Sequence, residues 1–268
     1  MRLAAIQMNS GADVEANLRL CDRLLGDAAA DDCKMAVLPE NFALMPKRSR
    51  DKVVHAEEPG NGPIQEFLAD AARRHGLWIV AGSMPLVAPE PEKVFGACPV
   101  YDADGIERAC YRKIHLFDVK LPDRDESYQE SWSMCAGADP VTVESPIGRV
   151  GLTICYDLRF PELYRRLVDD GATAFTVPAA FTSVTGEAHW QPLLRARAIE
   201  NLAYVIAPGQ YGDHPDKRST YGHSMIIDPW GIILAERAAG DCHIAADIDP
   251  ELPLRLRREF PALANRRL

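Results

Sequence analysis

The chain has 268 residues, 47% of them hydrophobic and 26% charged, with a formal net charge of -9 from 39 acidic against 30 basic side chains. A chain of that size and composition buries a large core and is not disordered, and the negative balance with dispersed arginines argues against nucleic acid or an anionic membrane as partner. Seven cysteines without a C-x-x-C pair, and histidines without an H-x-x-x-H spacing, argue against a disulfide framework or a resident metal and for a reducing, cytoplasmic setting.

Leu3 to Met8 reads as a first strand. The apolar start is too short for a signal peptide, and no later run reaches transmembrane length. Val14, Leu18, Cys21, Leu24 and Leu25 then recur at helical spacing. Met35 to Leu38 predicts a short buried strand that delivers Pro39-Glu40 to its end. Pro63 opens a helix through Arg74, Gly76 stops it, and Leu77 to Gly82 follows as a strand, giving β-α-β-α-β order. Val94 to Tyr101 and Ile106 to Arg112 flank Asp104-Gly105, a hairpin signal.

Lys120 to Asp139 reads as a long irregular stretch of the kind that carries function. Arg149 to Ile154 predicts a buried strand, Pro161-Glu162 a helix start running to Asp170, and Ala174 to Val177 another strand. A helix follows from His189 to Asn201, whose Arg195 and Arg197 suit ion pairing and ligand contact equally. Tyr204 to Ala207, Ser224 to Ile227, Ile232 to Leu234 and His243 to Ile248 complete the strands, and Arg255, Arg257 and Arg258 belong to a solvated helix face. With no Pro/Gly/Ser-rich linker or composition break, residues 1–268 are expected to form one α/β domain. Its mixed sheets need helical cover on both faces, which gives layers α, β, β, α.

Three strand ends carry reactive groups: Glu40, Lys113 and Cys155. Cys155 falls in the turn between its strand and the Pro161 helix, where ligand crevices of α/β sheets lie and a helix N-terminus favours a thiolate. A free cysteine is equally at home as a small buried hydrophobe, and strand-end lysines and glutamates are usually solvated. The chemistry is nonetheless complementary. A thiolate attacks a carbonyl, a carboxylate shuttles protons to a leaving amine and from water, and an ammonium stabilises an oxyanion.

The segments Leu38-Pro39-Glu40-Asn41-Phe42, Tyr111-Arg112-Lys113-Ile114-His115-Leu116-Phe117-Asp118 and Gly151 to Glu162 resemble the glutamate, lysine and cysteine motifs of the nitrilase, or carbon-nitrogen hydrolase, superfamily, and the resemblance spans essentially the whole chain. It implies a four-layer α-β-β-α sandwich, commonly a homodimer or higher homo-oligomer, that needs no cofactor. It implies Glu40 as general base and acid, Lys113 as stabiliser of the intermediate, Cys155 as nucleophile, and a second glutamate beside the lysine. Glu130 in Gln129-Glu130-Ser131 matches that second position, with Glu126 as the alternative. An amide would then be hydrolysed through a thioester, with the backbone N–H of Tyr156 as an oxyanion donor.

Within the superfamily, Pro178 to Trp190 resembles a segment of the small-amidase branch that contains the deaminated glutathione amidases and the ω-amidases, the latter acting on α-ketoglutaramate. Ala179 and Glu187 depart from that segment's usual Ser or Gly and Pro. Gly209 to Ser224 is closer to the deaminated glutathione amidase version. Lys217, Arg218 and His223 lie on or beside this loop and suit a substrate carboxylate, while Tyr156 and Phe181 suit the pocket wall or the core. Two rivals use the same fold: a catalytically silent binding protein, and a redox sensor built on Cys155, although no neighbouring cysteine could resolve it.

Overall fold

The structure is a computed structural model that describes residues 1–48, 50–120 and 127–267. Two mixed sheets dominate it. The first runs in the order Cys242–Asp247, Arg2–Gln7, Met35–Val37, Trp78–Val80, Val94–Tyr101, Met84–Val87, with Glu107–Arg112 and Met134–Cys135 also paired to Val94–Tyr101. The second runs Val141–Ser145, Gly148–Leu152, Ala174–Thr176, Tyr204–Ala207, Ser224–Ile227, Ile233–Arg237. Each sheet has a parallel centre: Arg2–Gln7, Met35–Val37 and Trp78–Val80 in the first, and Gly148–Leu152, Ala174–Thr176 and Tyr204–Ala207 in the second.

Side-chain alternation assigns the layers, because successive residues of a strand face opposite ways. Leu3 and Ala5 join Met35, Val37, Val150, Leu152 and Ala174 in a core between the sheets. Ala4 and Ile6 turn the other way and pack with Cys21, Leu24, Leu25, Leu68 and Ala72 of the helices Val14–Ala30 and Pro63–His75. Leu163 and Leu167 of Pro161–Asp169, and Trp190 and Leu194 of Ser183–Asn201, cover the far face of the second sheet. The result is the α-β-β-α sandwich, and burial on both faces explains why the central strands read as continuous apolar runs.

Local chemistry sets the helix ends. Asp13 caps the first helix by accepting from Ala16 N at 3.0 Å, Pro63 begins the next, and Gly76 ends it at φ +62°. One helix boundary, two strands and one connecting stretch differ from the sequence reading. The second long helix begins at Ser183 rather than His189, because Gly186 lets its first turn close against Tyr221, whose Cβ would stand 2.4 Å from a Cβ placed at that glycine. Met84–Val87 and Val141–Ser145 are strands the sequence reading passed over. The stretch expected to be irregular contains paired backbone: Asp118–Lys120 pairs with Ser127–Gln129, Glu130–Trp132 forms a 3-10 turn, and Met134–Cys135 joins the first sheet. Glu126 lies outside the described residues.

The C-terminal arginines are not one solvated face. Arg257 of Leu252–Glu259 reaches inward and donates to the carbonyls of Ala172 and Asn201, at 2.8 and 2.9 Å. Arg197 is likewise structural: its guanidinium donates twice to Leu158 O and pairs with Glu200. Among the described residues, no helix is long and apolar enough to cross a membrane.

Candidate active site

The two parallel centres end on the same side of the molecule, and their carboxyl ends supply the site, as the crevice rule for α/β sheets requires. Glu40 follows Met35–Val37, Cys155 follows Gly148–Leu152, Ala180 follows Ala174–Thr176, and Gln210 follows Tyr204–Ala207. Lys113 comes from the end of the antiparallel strand Glu107–Arg112. Two of these turns need left-handed backbone at residues with side chains, Asn41 at φ +58° and Cys155 at φ +48°. Such conformations cost about 1–3 kcal/mol each and persist where the surroundings over-determine them.

The surroundings of Cys155 do so. Its N–H donates to Pro178 O at 2.8 Å, and the 3-10 turn Cys155–Arg159 is pinned through the fully buried Asp157. One Asp157 oxygen accepts from Tyr111 Oη at 2.7 Å and from Ile154 N at 2.8 Å. The other accepts from His115 N at 3.0 Å and lies 2.7 Å from His115 Nδ1. Tyr111 and His115 flank Lys113, so a single carboxylate locks the cysteine turn to the lysine strand end. Behind Glu40, Gly82 at φ +63° allows close backbone approach; a Cβ there would meet Pro39 O at 2.1 Å.

Lys113 Nζ donates to Glu40 Oε1 at 2.8 Å and to both Glu130 oxygens at 3.1 and 2.9 Å. Glu40 also accepts from Ala180 N at 2.8 Å, and its backbone carbonyl accepts from Gln210 Nε2 at 3.0 Å. Glu130 accepts from Phe117 N at 2.8 Å. Burial opposes the Lys113 charge, but Glu130 and Glu40 outweigh it and hold the ammonium well above the usual lysine range. Glu130 is held below the carboxylate range, because Lys113 and Lys52 overcome its burial. The Cys155 thiol is pushed well above the ordinary range by burial first and the Glu40 carboxylate second, with Lys113 opposing. Burial and the Glu40 carboxylate thus both favour the protonated thiol over the thiolate that a helix start would favour.

These groups line a cleft of about 270 Å³ whose wall includes Phe117, Tyr128, Trp132, Tyr156 and Phe181. Phe117 and Tyr156 meet edge-on at 5.1 Å, and Phe181 packs on Trp190 at 5.0 Å. Trp132 is 74% exposed at the cleft, unusual for so large an apolar side chain. Among the described residues, no group of His, Cys, Asp and Glu side chains could hold a metal ion.

The sequence profile described as carbon-nitrogen hydrolase matches residues 2–254. The chain belongs to the carbon-nitrogen hydrolase family. This hydrolase is 42% identical over 266 residues to the deaminated glutathione amidase of Synechocystis, covering 98% of its own chain and 97% of that protein. Its structure superposes on the NitFhit protein of C. elegans with a TM-score of 0.90 at 37% identity, covering 99% of this chain and 65% of that longer one. It also superposes on Saccharomyces cerevisiae Nit3, described as a member of branch 10 of the nitrilase superfamily, with a TM-score of 0.89 at 31% identity and coverage of 100% and 97%.

The hydrolase brings Glu40, Lys113, Glu130, Cys155, Tyr156, Phe181 and Arg218 to one cleft. Lys217 and His223 are not on its wall. Lys217 is exposed at φ +67° in the turn beyond His214, whose carbonyl accepts its N–H. His223 turns its ring onto Tyr221, with centroids 4.1 Å apart, and places Nδ1 2.7 Å from Glu236 Oε1. A two-residue alternation in this loop separates Arg218 from its neighbours, which composition alone does not show. Sequence reasoning passed over Asp157, Gln210 and Lys52. Asp157 carried the one available signal, a carboxylate two residues after the cysteine, in position to accept from the first N–H groups of a turn.

Proposed function

We propose that the chain is an amidase that acts through a thioester on Cys155 and takes deaminated glutathione as substrate. The observation that carries this reading is the buried Glu40-Lys113-Glu130 cluster, with Cys155 on the wall of the same cleft. Glu40 removes the Sγ proton as Sγ attacks the amide carbonyl carbon. The oxyanion is met by Lys113 Nζ and the Tyr156 N–H. Collapse breaks the carbon–nitrogen bond, and Glu40 returns its proton to the departing amine. A water deprotonated by Glu40 then attacks the thioester carbon, the thiolate leaves, and it recovers the proton from Glu40. Glu130 touches no reacting atom in this scheme; it keeps Lys113 charged and aimed.

The similarity to the deaminated glutathione amidase of Synechocystis, nearly end to end, supports the choice of substrate. Deaminated glutathione, α-ketoglutaramate, simple nitriles and N-carbamoyl amino acids should be compared under matched conditions, with products identified by mass. The highest kcat/KM is expected for deaminated glutathione. A lead for α-ketoglutaramate would move the chain to ω-amidase, and a lead for a nitrile would overturn the amidase reading.

We further propose a single-domain homodimer in the cytoplasm. All seven cysteines are free, which suits a reducing compartment. Trp230, Ile232 and Phe260 are each more than half exposed, and the rings of Trp230 and Phe260 meet edge-on at 5.9 Å, an apolar surface suited to a second copy. Sedimentation equilibrium should give twice the 29.6 kDa chain mass; a monomer at micromolar concentration would contradict it.

A further inference from the structure

The cleft carries more positive charge than the catalytic scheme uses. Among the described residues, its wall holds five cationic side chains, Lys47, Arg48, Lys52, Lys113 and Arg218, against three anionic ones, Glu40, Glu130 and Asp216. Lys113 is matched by its two carboxylates. Lys52 and Arg218 are not matched in that way.

Lys52 belongs to the short helix Asp51–Val54 and is half-buried. Its ammonium lies 3.6 Å from Met134 Sδ, a poor acceptor, and no carboxylate among the described residues comes within ion-pair distance. Burial depresses its affinity for a proton although Glu130 and Glu40 act to keep it charged, and Arg218 adds repulsion. Lys52 is therefore electrostatically coupled both to the reacting cluster and to Arg218. A half-buried cation without an ion-pair partner is costly, and a carboxylate in the cleft would relieve that cost.

Arg218 approaches from the opposite sequence direction, just before the strand Ser219–Tyr221. Its guanidinium lies 5.0 Å over the Tyr128 ring and, among the described residues, has a single loose ion pair, Nη2 to Asp216 Oδ2 at 3.4 Å. Its Nε is buried and has no hydrogen-bond partner among the described residues. Buried side-chain donors are nearly always satisfied, so an orphan on a ligand-cleft wall points to a group supplied by the ligand.

We propose that Lys52 and Arg218 together form the receptor for a substrate carboxylate, with Arg218 offering the planar donor fork and Lys52 a point charge between that fork and the reacting cluster. This rests on the amidase reading of the same cleft and deepens it: the enzyme selects amides of acids over neutral amides. Lys217 and His223, which are not on the cleft wall, take no part.

The test compares matched substrates that differ only in charge: deaminated glutathione against its dimethyl ester, and glutaramate against its methyl ester. Hydrolysis is followed by product mass and ammonia release for wild type, Lys52→Met, Arg218→Gln and Arg218→Lys. The wild type should favour the acid of whichever pair it hydrolyses. Lys52→Met and Arg218→Gln should each cut the acid-to-ester ratio of kcat/KM by about 10- to 100-fold, the range expected for losing a charge-assisted hydrogen bond, with the loss in KM rather than kcat. Arg218→Lys should recover part of the ratio. Because a ratio does not depend on how much of a variant folds, a merely structural role would leave it unchanged, and that result overturns the assignment. A wild type that hydrolyses acid and ester equally also overturns it while leaving the amidase reading intact. A wild type that hydrolyses none of the four overturns both.

Discussion

Cys155→Ala is expected to fold like the parent chain and to hydrolyse no amide at a measurable rate. The cysteine side chain is small and only 8% exposed, so alanine leaves a void of about one sulfur atom. The turn around it is held by backbone and by Asp157, not by the thiol. The loss of activity should be about 10⁴-fold or more, since removing a nucleophile leaves only the binding and oxyanion contributions of the site. Steady-state turnover beside a thermal melt separates the two effects. A melt close to wild type with no turnover is the expected pair of results, and retained turnover in the alanine variant would remove Cys155 from the mechanism.

The second large effect falls on a residue that reacts with nothing. Asp157→Ala removes the acceptor for Tyr111 Oη, Ile154 N and His115 N together and strands these groups in or near the core. A buried donor left unsatisfied typically costs about 1–3 kcal/mol, so stranding two buried donors and one part-buried donor should cost about 3–5 kcal/mol. In a chain of this size that corresponds to a fall in Tm of about 6–20 °C. Activity should fall even at temperatures where the variant remains folded, because the lysine strand end and the cysteine turn lose their common anchor. Asp157→Asn keeps an acceptor and should recover part of the stability. If Asp157→Ala melted within about 2 °C of wild type, a shift worth no more than about 1 kcal/mol in a chain of this size, the locking role assigned here would be wrong.

The contrast between these two residues shows what the sequence can reveal. Cys155 and Glu40 are legible because each ends a short apolar strand of a parallel unit, where α/β folds place ligands, and Lys113 because it ends the second strand of the Asp104-Gly105 hairpin within a recognisable motif. The helix Pro63–His75 is legible because proline and glycine mark both its ends. The remaining features depend on distant partners. Asp157 draws its role from Tyr111 and His115, more than forty positions away. Gln210 bonds Ser10 and the Glu40 carbonyl across the whole chain.

The same limit explains the differences at the elements. Met84–Val87 contains Pro85, which in a four-residue run argues against a strand until pairing with Val94–Tyr101 is seen. The early turn of Ser183–Asn201 contains Gly186, a poor helix former that the close approach of Tyr221 requires. His223 and Lys217 sit in a loop whose composition suited a carboxylate site, but Glu236 and solvent, respectively, claim them. Arg218 alone of the three lines the cleft.

The central claim is that the Cys155 sulfur carries the acyl group during turnover. Wild-type protein mixed with saturating deaminated glutathione, quenched in acid within the first turnovers and measured as intact protein, should show a mass increase equal to the acyl portion of the substrate. Peptide mapping should place that increase on Cys155, and hydroxylamine should remove it as expected for a thioester. Rapid product formation with no adduct at any quench time, or an adduct on another residue that forms equally well in Cys155→Ala, would contradict the account.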